Sequence, residues 1–208
     1  GGEEWTQTVR FYRQLDPRGW KDSVIREVME KHIREGATVM EIGPGAGRWT
    51  EALLARAKRL LAVDISVKCL ELCKQRFSDR PNIEYFLIKE PRLEFVAPNS
   101  VDSIWSYDVF VHINPTDTER YIGEFERILK PGGCAVIHHP GTYAKDIEKQ
   151  GRQRIWRSHV DGRFFRHFVE RHNLVMLEQS SAWVHCPGDL ISVFKKPDGR
   201  ALDNPVHA

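Results

Sequence analysis

Hydrophobic residues along this chain fall into two alternating rhythms. Short continuous apolar runs at Val39-Met40 with Ile42, Leu60-Leu61-Ala62-Val63, Ile83 to Leu87, Ile104-Trp105, Cys134 to Ile137, Leu174 to Leu177 and Leu190 to Phe194 read as buried strands. Between them, helical spacing recurs: Trp49, Leu53, Leu54 and Ala57; a stretch of about 66 to 78; Tyr121, Phe125, Ile128 and Leu129; and Phe164, Phe165, Phe168 and Val169. Thr116 or Asp117 is placed to cap the third of these helices. Ahead of the first strand, Trp5, Val9, Tyr12 and Leu15 predict a helix over 3–15, which Asp16-Pro17-Arg18-Gly19 breaks before a second helix of about 22 to 34. Strand and helix alternate five times and end in a hairpin-like pair, the pattern of an α/β, doubly wound sheet. Three parts follow: a helical extension over 1–36, one α/β domain over 37–196, and a polar tail over 197–208. The extension is expected either to pack or to act as a lid, with Arg18 and Trp20 in the connecting turn as its contacts.

Size and charge narrow the picture. At 208 residues the chain holds one substantial domain, and its net charge of +2 gives no global reason to expect nucleic acid. Residues 145–171 carry eight Lys or Arg against four acids, a local excess that a solvated surface also explains. Cys69, Cys73, Cys134 and Cys186 contain no Cys-x-x-Cys pair, and Cys69 and Cys73 lie one helical turn apart in an apolar stripe, as core thiols do. A reducing cytoplasm is the expected compartment, and the lack of a long apolar run removes secretion and membrane spanning from expectation. Gly1-Gly2 without a starting Met reads as an added remnant.

The stretch Glu41-Ile42-Gly43-Pro44-Gly45-Ala46-Gly47-Arg48-Trp49 adds chemistry. Three glycines at alternate positions after a strand let the backbone turn sharply and approach a ligand without a Cβ in the way. The N–H groups of the helix that follows favour a carboxylate or phosphate. Arg48 stands where a dinucleotide fingerprint wants its last glycine, which disfavours a nicotinamide cofactor. Glu41 would repel a pyrophosphate and suits an ammonium group. Asp64, at the tip of the second strand, is where a nucleotide-binding βαβ unit hydrogen-bonds a ribose diol, with Ile65 against the adenine; a helix-cap role for Asp64 is the alternative, and Ser66 serves that purpose equally well.

Glu41-x-Gly43-x-Gly45-x-Gly47, then Asp64, then Leu129-Lys130-Pro131-Gly132-Gly133 before an apolar strand, resemble the class I S-adenosylmethionine (SAM) methyltransferases over about residues 37–196. The resemblance implies a Rossmann-like, seven-stranded methyltransferase sheet and SAM held by Glu41, Gly43, Gly45, Gly47, Asp64, Ile65 and Ser106. The adenine contacts depart from pattern, since Lys89 occupies the usual acidic position and Glu90 follows it. Ser106-Tyr107-Asp108-Val109-Phe110-Val111-His112, Ile137-His138-His139, Trp156-Arg157-Ser158, Glu178-Gln179, Trp183 and Asp189-Leu190-Ile191-Ser192 are similar to a group of small bacterial glycan and sugar methyltransferases, one branch of which acts on mannosides of mycobacterial polysaccharide.

A sugar hydroxyl is a poor nucleophile while protonated, so such a reaction needs a general base. Ligands bind at the carboxyl ends of strands in open α/β sheets, and there the chain offers His138, His139, His112 and Asp108. His139 and His138 rank first, with Asp108 orienting or activating one of them. Adjacent histidines in an extended segment point opposite ways, which disfavours a shared divalent metal. Tyr107, Trp156 and Arg157 are expected to bind the acceptor. The expected activity is O-methyl transfer to a small-molecule or oligosaccharide hydroxyl by a monomer or homodimer, with no nucleic-acid or membrane partner. Small-molecule N-methyl transfer and a non-catalytic SAM- or RNA-binding module are the alternatives.

Overall fold

The computed structural model describes residues 17–141, 158–184, 186 and 188–199. The helix expected over 3–15 and residues 145–157 of the basic stretch, Trp156 and Arg157 among them, lie outside the described residues.

The first described element is helix α1, Pro17–Val24, which continues through a wide π-helical turn, Ile25–Met29, to Glu30–His32. It begins several residues before the expected position because Pro17 starts the helix, its fixed φ and missing N–H being suited to a first turn. Trp20 and Arg18 therefore belong to the helix, not to a turn before it.

Strand β1 (Ala37–Ile42), a single helical turn α2 (Thr50–Leu54), β2 (Ala57–Asp64), α3 (Val67–Arg76), β3 (Ile83–Leu87) and β4 (Val101–Ser106) follow in order. Ala57, expected on the apolar stripe of α2, opens β2 instead, because α2 is only five residues long. Ser66 caps α3, its Oγ accepting from the Cys69 N–H at 3.2 Å. Helix α4 (Pro115–Ile128) is capped by Asn114, not by Thr116 or Asp117; Pro115 takes the first helical position and Asn114 Oδ1 accepts from the Asp117 N–H at 2.9 Å. Strand β5 (Leu129–Pro140) starts directly, bulges through residues 130–133 and resumes pairing with β4 at Cys134. Helix α5 (Gly162–Arg171), β6 (Val175–Ser180) and β7 (Asp189–Lys195) complete the fold.

The seven strands lie in the order β3-β2-β1-β4-β5-β7-β6, parallel except for β7. This is the doubly wound, seven-stranded sheet that the strand and helix alternation predicts. The order reverses between β1 and β4, so a crevice opens at their carboxyl ends.

Strand alternation sends side chains into two cores. One face, with Met40, Ile42, Leu61, Ile104, Ala135 and Ile137, packs under α4 and α5 through Tyr121, Phe125, Phe165 and Phe168. The other, with Val39, Leu60, Ala62, Trp105 and Val136, packs under α1, α2 and α3 through Val28, Met29, Leu53 and Cys73. Cys73 is a core thiol, as expected, and burial pushes it up to about 11, which leaves it inert.

Phe165 joins the α5 face to the sheet, its ring 6.0 Å from Phe194 and 6.4 Å from Phe110. Phe165→Ala is expected to destabilise the fold by about 3–5 kcal/mol. Chemical denaturation measures this, and a loss under about 1 kcal/mol would contradict the packing described.

Candidate active site

Each glycine of the loop after β1 has a separate physical reason to lack a side chain. All three adopt positive φ: 72° at Gly43, 56° at Gly45 and 89° at Gly47. A methyl group at Gly43 would overlap the Val109 side chain, and one at Gly47 would overlap the Phe77 ring. At Gly45 a methyl group would meet no protein atom within 4 Å, so this position faces open space. Gly45 N–H donates to Asp64 Oδ2 at 3.3 Å, while Asp64 Oδ1 accepts from Ser66 N–H at 2.9 Å. Asp64 thus ties the glycine loop to the tip of β2, and Ile65 beside it is 70% exposed. With α2 reduced to one turn, loop N–H groups, rather than a long helix dipole, provide the polar surface here.

Glu41 lies beneath this loop, fully buried. Its Oε2 accepts from Thr50 Oγ1 at 2.7 Å, and its Oε1 has no hydrogen-bonding partner among the described residues. Burial, opposed by the Thr50 hydroxyl and reinforced by the charge of Asp64, pushes the carboxyl up to about 8.

Across the crevice, the loop after β4 presents Asp108 with a φ of 65°. A non-glycine residue in this region carries strain of roughly 1–3 kcal/mol, which Asp tolerates better than most. Arg48 and His138 help to hold it. Arg48 Nη1 from the glycine loop lies 3.5 Å from Asp108 Oδ2, and the Asp108 N–H donates to His138 Nδ1 at 3.1 Å. His138 is completely buried, with Tyr107 stacked on it at 4.2 Å and 8°, and its Nε2 is 3.2 Å from Asp189 Oδ2. The Tyr107 hydroxyl donates to the Trp183 carbonyl at 3.0 Å, to which the Trp20 indole also donates at 3.3 Å. Trp20 packs edge-on against Trp49 and Tyr107, each at 5.7 Å, so α1 closes the site's floor.

His139 faces the other way. Its ring stacks on Phe165 at 3.8 Å and 5°, in the α5 core. Nδ1 is 2.7 Å from the Pro140 carbonyl, to which it donates, and Nε2 is 2.6 Å from Ser192 Oγ, from which it accepts. Gln179 Nε2 donates to the same hydroxyl at 3.0 Å. Burial drives His139 down to about 3, so it is neutral with both nitrogens engaged. Among the other expected site residues, Ser106 is buried and donates to the Ile42 carbonyl at 2.9 Å, joining β4 to β1. Tyr107 is buried with its hydroxyl engaged, so it meets the site through the His138 ring. His112 is exposed on the β4 loop. Sequence reasoning did not assign Arg48, Thr50 or Asp189 to the site; a lone hydroxyl on the apolar face of α2 and an acid at the start of an apolar strand were the available signals.

Residues 39–133 match the family model described as a methyltransferase domain. The fold resembles a SAM-dependent methyltransferase of Clostridium acetobutylicum with a TM-score of 0.72 at 14% identity, covering 94% of this chain and 98% of that one. The chain has the Rossmann-like, seven-stranded methyltransferase fold, and the family match falls within it. Over 98 residues it is 32% identical to a probable ribosomal RNA small subunit methyltransferase A of Methanopyrus kandleri, covering 46% of this chain and 34% of that protein. Over 105 residues it is 32% identical to phosphoethanolamine N-methyltransferase 1 of Triticum aestivum, covering 49% of this chain and 21% of that protein. The chain thus spans about a third of the length of the first and a fifth of the second.

SAM is the cofactor this methyltransferase fold implies, and the residues fit it. The open face at Gly45 admits a ligand against the backbone, and Glu41 Oε1, unpaired among the described residues, can accept a hydrogen bond from an ammonium group, whose charge would also draw the proton off the carboxyl.

Glu41 makes stability depend on pH. The folded protein binds its proton more tightly than the unfolded chain, with a value near 8 against an ordinary 4.5. Its contribution is therefore complete below about pH 4.5 and is lost as pH rises through 8. Denaturation midpoints across this range are expected to fall more steeply for the wild type than for Glu41→Gln; parallel curves would contradict the buried protonated carboxyl.

Proposed function

We propose that this domain transfers a methyl group from SAM to a hydroxyl of a small acceptor, a sugar or oligosaccharide by preference, with Asp108 as the general base. The observation that carries this reading is the placement of Asp108 at the crevice, 22% exposed, between Arg48 of the glycine loop and the buried His138. SAM supplies a methyl group on a sulfonium, so the acceptor oxygen bonds to that carbon as the C–S bond breaks and S-adenosylhomocysteine leaves. The residues named do the rest. Glu41 and the Gly45 backbone would hold the cofactor's amino-acid end, Asp64 its ribose and Ile65 its adenine. Asp108 Oδ1 accepts the hydroxyl proton, and Arg48 holds the carboxylate across the gap.

His138 supports Asp108 from below, and His139 serves the core. This reverses the order that sequence gives the two histidines, because the ring nitrogens of His139 are already committed. The sugar preference rests on the resemblance of short sequence motifs to those of small bacterial glycan methyltransferases.

Labelled-SAM turnover over mannosides, phenols, amines and RNA tests the acceptor class, and product on hydroxyl acceptors is expected. Methylation confined to amines or RNA would overturn it. Asp108→Asn is expected to lower kcat by about 10²–10⁴-fold, while His112→Ala changes it little. Undiminished turnover in Asp108→Asn would remove Asp108 as base.

A further inference from the structure

We infer that Asp189 is a positioning residue that holds Asp108 in its working conformation through His138; this rests on the reading of Asp108 as the base. Strand register sets the arrangement. In the antiparallel pair β5 and β7, His138 lies opposite Ile191 and Pro140 opposite Asp189, so Asp189 and His138 are diagonal neighbours on one sheet face. Both side chains are fully excluded from solvent, with Asp189 Oδ2 3.2 Å from His138 Nε2. On the other side of the ring, Nδ1 accepts the Asp108 N–H at 3.1 Å. A neutral imidazole that accepts at one nitrogen carries its proton on the other. The proton of His138 therefore sits on Nε2, at ion-pair distance from the Asp189 carboxylate though off hydrogen-bond alignment with it, and the negative charge of the carboxylate favours that tautomer.

The consequence reaches the crevice. With its proton on Nδ1 instead, His138 would oppose the Asp108 N–H, donor against donor, and the positive φ of Asp108 would lose the bond that compensates it. The Tyr107 ring, parallel to the imidazole at 4.2 Å, prevents the ring from tilting away, and the Trp183 carbonyl holds Tyr107. The line from Asp189 through His138 to the Asp108 backbone thus joins β7, β5 and the β4 loop, and sets where the Asp108 carboxylate points. Asp189 touches no reacting atom and acts through the imidazole.

Nitrogen-15 NMR of the histidine rings tests this in the wild type and in Asp189→Asn, together with hydrogen exchange at the Asp108 amide. The wild type is expected to show His138 protonated on Nε2 and a protected Asp108 amide. In Asp189→Asn the fixed tautomer is lost, the amide exchanges faster, and SAM binding is unchanged. On an accepted substrate, kcat falls by up to about 10²-fold with KM unchanged. An Nδ1-protonated His138 in the wild type overturns the proposal, and decides it alone if the variant does not fold. A variant with unchanged tautomer and exchange also overturns it. Loss of the tautomer and protection in Asp189→Asn, alongside an Asp108→Asn variant of full activity, would retain the positioning line and refute the base assignment.

Discussion

Gly43 and Val109 approach so closely that no side chain fits at the glycine, and this steric constraint sets the width of the crevice between β1 and β4. The glycine loop and the β4 loop emerge from neighbouring parallel strands at the point where strand order reverses. Pressed together there, they bring Arg48 within 3.5 Å of Asp108 and leave Gly45 facing open space beside it. The Arg48–Asp108 ion pair thus joins the glycine loop to the β4 loop. A larger residue at Gly43 would displace both.

The two adjacent histidines show how a strand assigns chemistry. A two-residue period sends His138 to the face shared with Trp105 and Tyr107, and His139 to the face shared with Phe165. Both are fully buried, but their partners differ. His139 meets a carbonyl and a hydroxyl, a neutral set that satisfies an uncharged ring. His138 meets a backbone N–H and a carboxylate, which fixes its orientation and ties it to a residue at the crevice. The first arrangement serves a core, and the second joins the core to the β4 loop at the crevice.

Much of the fold was legible because it depends on local pattern. Apolar runs gave the strands, the spacing of Glu41, Gly43, Gly45 and Gly47 gave the turn, and Asp64 was found bonded to the loop N–H. The opposite facing of His138 and His139 also followed from strand periodicity. Element ends were less legible. Pro17 and Pro115 began helices where breaks or later caps were expected, and Ala57 began a strand because α2 stops after one turn. The ranking of the histidines depended on Phe165 and Ser192, which lie 26 and 53 positions away in sequence and meet His139 through the α5 contact and the β5–β7 pairing. Arg48 and Asp189 were hidden for the same reason: their partners come from other strands.

The glycine loop, Glu41 and Asp64 together make the cofactor claim on which the rest depends. A loop that exposes its backbone at Gly45 over a buried acid with one oxygen unpaired among the described residues suits a cationic amino-acid group better than a pyrophosphate. Calorimetric titration with SAM and, separately, with NAD tests this most directly. The account predicts saturable binding of SAM, weakened in Gly45→Ala, and no binding of NAD; binding of NAD without SAM would contradict it.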